Sequence, residues 1–267
     1  MIKIPFHKLH GAENDFLLTW AEQAPGEGLA LIARKICARY TGIGADGWML
    51  AWKRPEGLRT RLFNSDGSEP EISGNGTRCA AAFALWTGAV RGEGIAIETA
   101  AGVKLLTLQA RDENRFRFEM DMGMPEYRSE EVRTELQLAS EVFDATILNV
   151  GNPQCAIFVD SLPSDWRASA ALAEANTRFP KRTNVSFVRV MDRHNIETLF
   201  YERGAGETRS SGTGSTGAAV AAILRGVAAS PVIVHTPAGP LTLRWEESVF
   251  LTGPAEFIGE GEFLLGD

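Results

Sequence analysis

Cysteine, histidine and tyrosine are scarce in this chain, basic residues are outnumbered, and long apolar runs are missing. Cys37, Cys79 and Cys155 are an odd set without close spacing. That excludes a disulfide framework and a zinc motif, and it suits a reducing cytosol. The three thiols read as small buried apolar side chains. His7 and His10 stand three apart on an expected strand and so face opposite ways, while His194 and His235 are isolated. No metal site is expected. No dinucleotide glycine fingerprint or outstanding pyridoxal lysine is present, so no cofactor is expected either. No apolar run reaches the ~20 residues of a membrane helix, and Met1 to His7 reads as a strand with no charged-then-apolar leader. A net charge of −7 with no basic run argues against a nucleic-acid partner. These exclusions leave a cytoplasmic protein with a small-molecule ligand.

What is present is a duplication. The run from Phe63 to Leu85 matches the run from Tyr201 to Ile223 at an offset of 138, the separation of Ser73 and Ser211. Glu69 falls on Glu207, Gly74 on Gly212, Gly76 on Gly214, and Ala80, Ala81 and Ala84 on Ala218, Ala219 and Ala222. Each copy reads as a strand, a polar turn, a Ser-Gly-x-Gly step and an alanine-rich helix. The same offset sets Asn14 on Asn152 and Asp46 on Asn184, so whole domains are repeated. A length of 267 residues with 44% hydrophobic content supports two medium domains with real cores.

The pattern predicts helices over 27–39 and 164–177, the latter opened by a Ser164-Asp165 cap. Strands are expected at 2–10, 48–52, 58–63, 95–99, 103–108 and 116–122 in the first half. In the second half they are expected at 147–150, 155–159, 183–190, 196–201, 232–236, 241–245, 249–252 and 256–264. Gly123-Met124-Pro125 is the expected boundary, followed by a charged stretch through Glu135. The expected fold is α+β, with two similar domains of antiparallel strands. Each alanine-rich helix should form the buried centre of a curled sheet, because small residues let strands approach closely.

A Gly-x-Gly step at a helix start presents unpaired amides and the positive end of the helix dipole, which is an anion site. Both turns can also be read as ordinary helix entries capped by Ser73 and Ser211. A phosphate loop is rejected, because no lysine follows the last glycine and Arg78 lies a step too late.

Six ordered motifs give the chain its resemblance. They are His10 to Phe16, Thr41 to Gly47, Phe63 to Cys79, Gly151 to Pro153, Arg182 to Asn184, and Glu202 through Gly214. On these segments the chain resembles the diaminopimelate epimerase family over nearly its whole length. The resemblance implies two pseudo-symmetric domains, each a barrel-like mostly antiparallel sheet around a central helix, with the active site between them. The domains would be 1–122 plus 255–267, and 123–254, the C-terminal strand returning to the first. It implies cofactor-independent inversion at an amino-acid α-carbon, with LL- and meso-diaminopimelate as substrates in lysine and peptidoglycan precursor synthesis. Homodimers are common in the family, though the sequence shows no interface.

The family's two acid/base cysteines correspond here to Ser73 and Ser211, and a family histidine after Gly-Asn-Pro is Gln154. A serine hydroxyl is a far weaker acid than a thiol and needs a neighbouring base. By resemblance, Asn64, Asn152, Asn184, Glu202 and Arg203 would hold the distal amino-acid end. The backbone of Gly74, Asn75, Gly212 and Thr213 would take the proximal carboxylate, and Asn14 would line the pocket. Three readings stay open. The chain could epimerise with its serines, assisted by Glu69, Glu207 or water. It could be a ligand-holding or engineered Cys-to-Ser form that binds without turnover. It could act as a related isomerase or dehydratase, against which the retained distal set counts.

Overall fold

The computed structural model describes residues 1–266. They divide into two compact units, residues 1–120 with 253–266 and residues 121–252. In the first unit the strands are β1 (Ile2–Gly11), β2 (Asn14–Trp20), β3 (Gly47–Arg54), β4 (Gly57–Asn64), β5 (Gly94–Thr99), β6 (Gly102–Asp112) and β7 (Arg115–Gly123). Two helices accompany them, α1 (Leu29–Cys37) and α2 (Gly74–Trp86). Neighbouring strands pair antiparallel except β2 with β3 and β4 with β5, which are parallel. The last strand of the chain, Val249–Leu265, pairs with both β1 and β7, so eight strands close into a barrel.

Helix α2 runs through the sheet's concave side, buried from Gly74 to Ala84 and packed on β1, β2, β4 and β5. Its alanines explain the position, since a helix surrounded by strands has no room for a polar face. Helix α1 is amphipathic and lies outside. Ile32, Ala33, Ile36 and Cys37 pack on Leu17, Trp48, Leu50 and Phe63.

The second unit repeats this plan. Its strands are β8 (Glu126–Tyr127), β9 (Thr134–Leu138), β10 (Glu141–Asn149), β11 (Pro153–Phe158), β12 (Asn184–Asp192), β13 (Asn195–Glu202), β14 (Gly206–Thr208), β15 (Val232–Thr236) and β16 (Gly239–Trp245). The final strand is β17 (Val249–Leu265). The parallel pairs recur at the matching places, β11 with β12 and β13 with β15. Helix α3 (Trp166–Glu174) lies where α1 lies, and α4 (Gly212–Leu224) is buried from Gly212 to Ala222. All three cysteines are buried, and burial pushes each thiol up to about 12.

Three local expectations are corrected. Val249–Thr252 and Glu256–Leu264 are one strand; residues 249–252 pair with β16 and residues 256–265 with β1. Glycine and proline at 253 and 254 look like a break, but they sit where the strand changes partners and one missing N–H disturbs neither ladder. The charged stretch after Pro125 holds β8 and β9, with Leu136 and Leu138 buried on one face. Asp165 precedes α3 but makes no side-chain cap bond.

Candidate functional site

The first helix start is built by Ser73, whose extended backbone puts its Oγ where it accepts the Gly76 N–H at 3.1 Å. A Cβ on Gly76 would stand 3.1 Å from the Met49 methyl and 3.3 Å from the Phe16 ring, so only glycine fits without displacement. Asn75, 3% exposed, donates its amide to Asn14 Oδ1 at 3.3 Å. Asn14 in turn donates to Asp46 at 2.6 Å, and Arg39 bridges Asp46 and Asp15 at 2.7 and 2.9 Å. Lys8 reaches Asp15 at 3.1 Å. Burial works to raise the Asp15 carboxyl, but the hydrogen bonds from Arg39 and Lys8 outweigh it and hold the group below the usual carboxylate range. Asn64 sits at the end of β4 and donates to Ser68 Oγ at 3.0 Å.

Arg78, on the first full turn of α2, is completely buried. Its guanidinium donates to the Pro254 carbonyl at 3.0 Å, to the Gly74 carbonyl at 3.3 Å and to Asn75 Oδ1 at 2.6 Å. Burial pulls its pKa down to about 10, which leaves it charged at neutral pH.

The second helix start has the same frame and different chemistry. Ser211 accepts the Gly214 N–H at 3.0 Å and donates its own hydroxyl to Glu202 Oε1 at 2.7 Å. The β13–β14 hairpin makes this contact possible, since pairing Phe200 with Thr208 brings the chain back past Glu202 to Ser211. Asn152 donates to Thr213 Oγ1 at 3.3 Å and accepts from Gln154 at 2.7 Å. Gln154 is buried against Gly217, where an added Cβ would lie 2.9 Å from its Cγ. Asn184, also buried, donates to the Pro153 carbonyl at 2.9 Å and accepts the Arg203 backbone N–H at 3.1 Å. The Arg203 side chain is exposed and touches the Lys181 carbonyl at 3.3 Å. Buried Glu174 accepts the Gly204 N–H at 3.3 Å and pairs with Arg182 at 2.5 Å, which fixes the loop that carries Arg203.

In the first unit, Asn14, Ser73, Gly74 and Asn75 therefore converge on one helix start, and Asn64 ends a neighbouring strand. In the second, Asn152, Glu202, Ser211, Gly212 and Thr213 converge, and Asn184 anchors Arg203. The acids expected to assist the serines are engaged elsewhere. Arg61 grips Glu69 with two bonds of 2.8 and 2.7 Å, and Arg167 grips Glu207 at 2.5 and 2.7 Å. These hydrogen bonds hold both carboxyls below their usual value. The carboxylate on Ser211 is Glu202, whose placement depends on a hairpin that the sequence alone does not show. No group of three or more His, Cys, Asp or Glu residues that could hold a metal occurs among the described residues.

The family model described as diaminopimelate epimerase matches residues 6–128 and 146–258. The diaminopimelate epimerase of Moorella thermoacetica is 38% identical over 277 aligned positions, covering 97% of this chain and 99% of its own. That of Pelotomaculum thermopropionicum is 38% identical over 275, covering 97% and 98%. Among solved structures, a hydroxyproline epimerase from Agrobacterium vitis superposes with a TM-score of 0.73 at 15% identity, covering 100% of this chain and 94% of its own. Likeness at that identity speaks for the fold. The near-complete span of the family match and the curated relatives settles the lineage: this chain belongs to the diaminopimelate epimerase family.

Proposed function

We propose that the protein binds LL- or meso-diaminopimelate and inverts one α-carbon without a cofactor, using Ser73 and Ser211 as its acid/base pair. The observation that carries this reading is the bond of 2.7 Å from the Ser211 hydroxyl to Glu202. It gives a weakly acidic hydroxyl the neighbouring base that it needs. As the Cα–H bond breaks, the α-proton passes to Ser211 Oγ while the hydroxyl proton moves to Glu202. The electron pair stays on Cα, conjugated with the carboxylate, until Ser73 delivers its proton to the opposite face. Solvent then restores Ser73 and takes the proton from Glu202.

Substrate contacts follow the same reading. The amides of Gly74, Asn75, Gly212 and Thr213 take the proximal carboxylate. Asn64, Asn152, Asn184 and Arg203 hold the distal end, Glu202 contributes to it, and Asn14 lines the pocket. A guanidinium with several amides suits a zwitterionic end group. A homodimer and a cytoplasmic location belong to the proposal as well.

One observation favours a second reading, binding without turnover. Among the described residues, the Ser73 hydroxyl oxygen caps Gly76 and has no carboxylate hydrogen-bond partner comparable to Glu202 on Ser211. Incubation with diaminopimelate in deuterated water, followed by NMR, decides between them. Exchange with inversion supports epimerisation, exchange-free binding leaves a ligand-holding protein, and absence of binding refutes both.

A further inference from the structure

Arg78 is a permanent charge in the core of the first unit, and its described hydrogen bonds go to two carbonyls and one amide oxygen, with no carboxylate among them. Burying an ion without an opposite charge is costly. The backbone closes tightly on it. A Cβ on Gly11 would stand 3.1 Å from the Asn75 carbonyl, 3.2 Å from the Pro254 carbonyl and 3.4 Å from Arg78 Nη2.

The second unit shows that the helix entry does not require this charge. At the offset of 138, Thr216 occupies the place of Arg78, and its hydroxyl donates to the Gly212 carbonyl at 2.8 Å. Gly212 is the counterpart of Gly74, so one carbonyl is capped by a neutral hydroxyl and its twin by a guanidinium. The cap is common to both, and the charge is the surplus.

Resting on the substrate reading above, we infer that Arg78 is a positioning residue that makes the first helix start the stronger of the two carboxylate anchors. It does so by polarising the Gly74–Asn75 peptide and placing a positive charge behind it. The Gly74 carbonyl and the Asn75 N–H belong to the same peptide, so a cationic donor on the oxygen strengthens the amide as a donor. Asn75 is in the first turn, where helix amides point outward from the start of the helix. The bond to Asn75 Oδ1 also fixes that side chain, which passes the orientation on to Asn14. The corresponding peptide, Gly212–Thr213, has the neutral Thr216 hydroxyl in the place of a guanidinium.

The test compares the two amides in one labelled protein. On titration with diaminopimelate, the Asn75 amide proton should move farther downfield than that of Thr213, as expected for the more polarised donor. Equal shifts, or a larger shift at Thr213, overturn the inference without any variant. Arg78→Gln should weaken diaminopimelate binding about tenfold, and Arg78→Lys, which keeps the charge, should stay within about threefold of wild type. An equal loss in both variants marks a packing role and overturns the inference too. If the wild-type protein does not bind diaminopimelate, the substrate reading falls, and acetate becomes the probe. The order of Asn75 over Thr213 is still required with acetate, and its absence overturns the role given to Arg78.

Discussion

Replacing Glu202 with glutamine isolates the base from the rest of the second helix start. The substitution keeps the volume and leaves an amide oxygen that can accept the Ser211 hydroxyl now bonded at 2.7 Å. What it removes is proton affinity. The helix start by itself favours an anion by about 0.3–2 kcal/mol, at most roughly one and a half pKa units, which leaves a serine hydroxyl far above neutral pH. The remaining activation must come from Glu202, and a positioned general base contributes about 100- to 10,000-fold, or roughly 3–5 kcal/mol of barrier. Glu202→Gln should therefore lower kcat/KM by at least about 100-fold. The loss must be equal from LL to meso and from meso to LL, because the equilibrium constant belongs to the substrates. The assay is deuterium incorporation at the α-carbon followed by NMR from each isomer. A kcat within about threefold of wild type, with only KM raised, would confine Glu202 to binding and refute the base assignment.

Other expectations are as direct. Restoring thiols with Ser73→Cys and Ser211→Cys together should raise the exchange rate, because a helix start lowers a thiol pKa toward neutrality; no gain in the same assay would mean that the pocket is not tuned to its acid/base pair. Gly214→Ala would place a Cβ 2.7 Å from the Phe200 ring and 2.9 Å from Ser211 Oγ. It should cost about 1–3 kcal/mol in denaturant melts, more than Gly76→Ala, whose first neighbour is a flexible methionine methyl. Arg182→Ala leaves Glu174 buried without its cation, and should destabilise the protein by about 2 kcal/mol after allowance for the exposure of Arg182. The Asp15 carboxyl is held below its ordinary 3.8, so its stabilisation is present above that value and is lost as pH falls through the lower folded value. Asp15→Asn should accordingly flatten the fall of Tm at acid pH, and an unchanged slope would refute the role given to Arg39 and Lys8.

The fold was largely legible because the duplication is written in small residues. Ala80, Ala81 and Ala84, with Ala218, Ala219 and Ala222, could only belong to helices enclosed by strands, and all six are fully buried. The acidic and basic residues around β8 and β9 hid two short strands, whose signal was the alternation of Leu136 and Leu138. The candidate site could be proposed from the sequence as a set of residue types. Its pairings could not, because they depend on where chains return. Glu69 and Glu207, which match each other in the two copies of the repeat, go to Arg61 and Arg167. Glu202, nine residues before Ser211, reaches it through a hairpin. A buried arginine inside an alanine helix had no counterpart in the repeat and carried no pattern that periodicity could detect.

Strand β17 gives the chain an unusual order of assembly. Residues 256–265 pair with β1 along almost its whole length, from His10 opposite Glu256 to Ile2 opposite Leu265. The ribosome therefore makes β1 before every residue of 121–252 and its partner after all of them. The second unit can complete its ladders while the first still exposes the free edge of β1. The half that is translated first is the one that must wait, and a chain stalled near residue 250 would hold an open sheet rather than a smaller barrel.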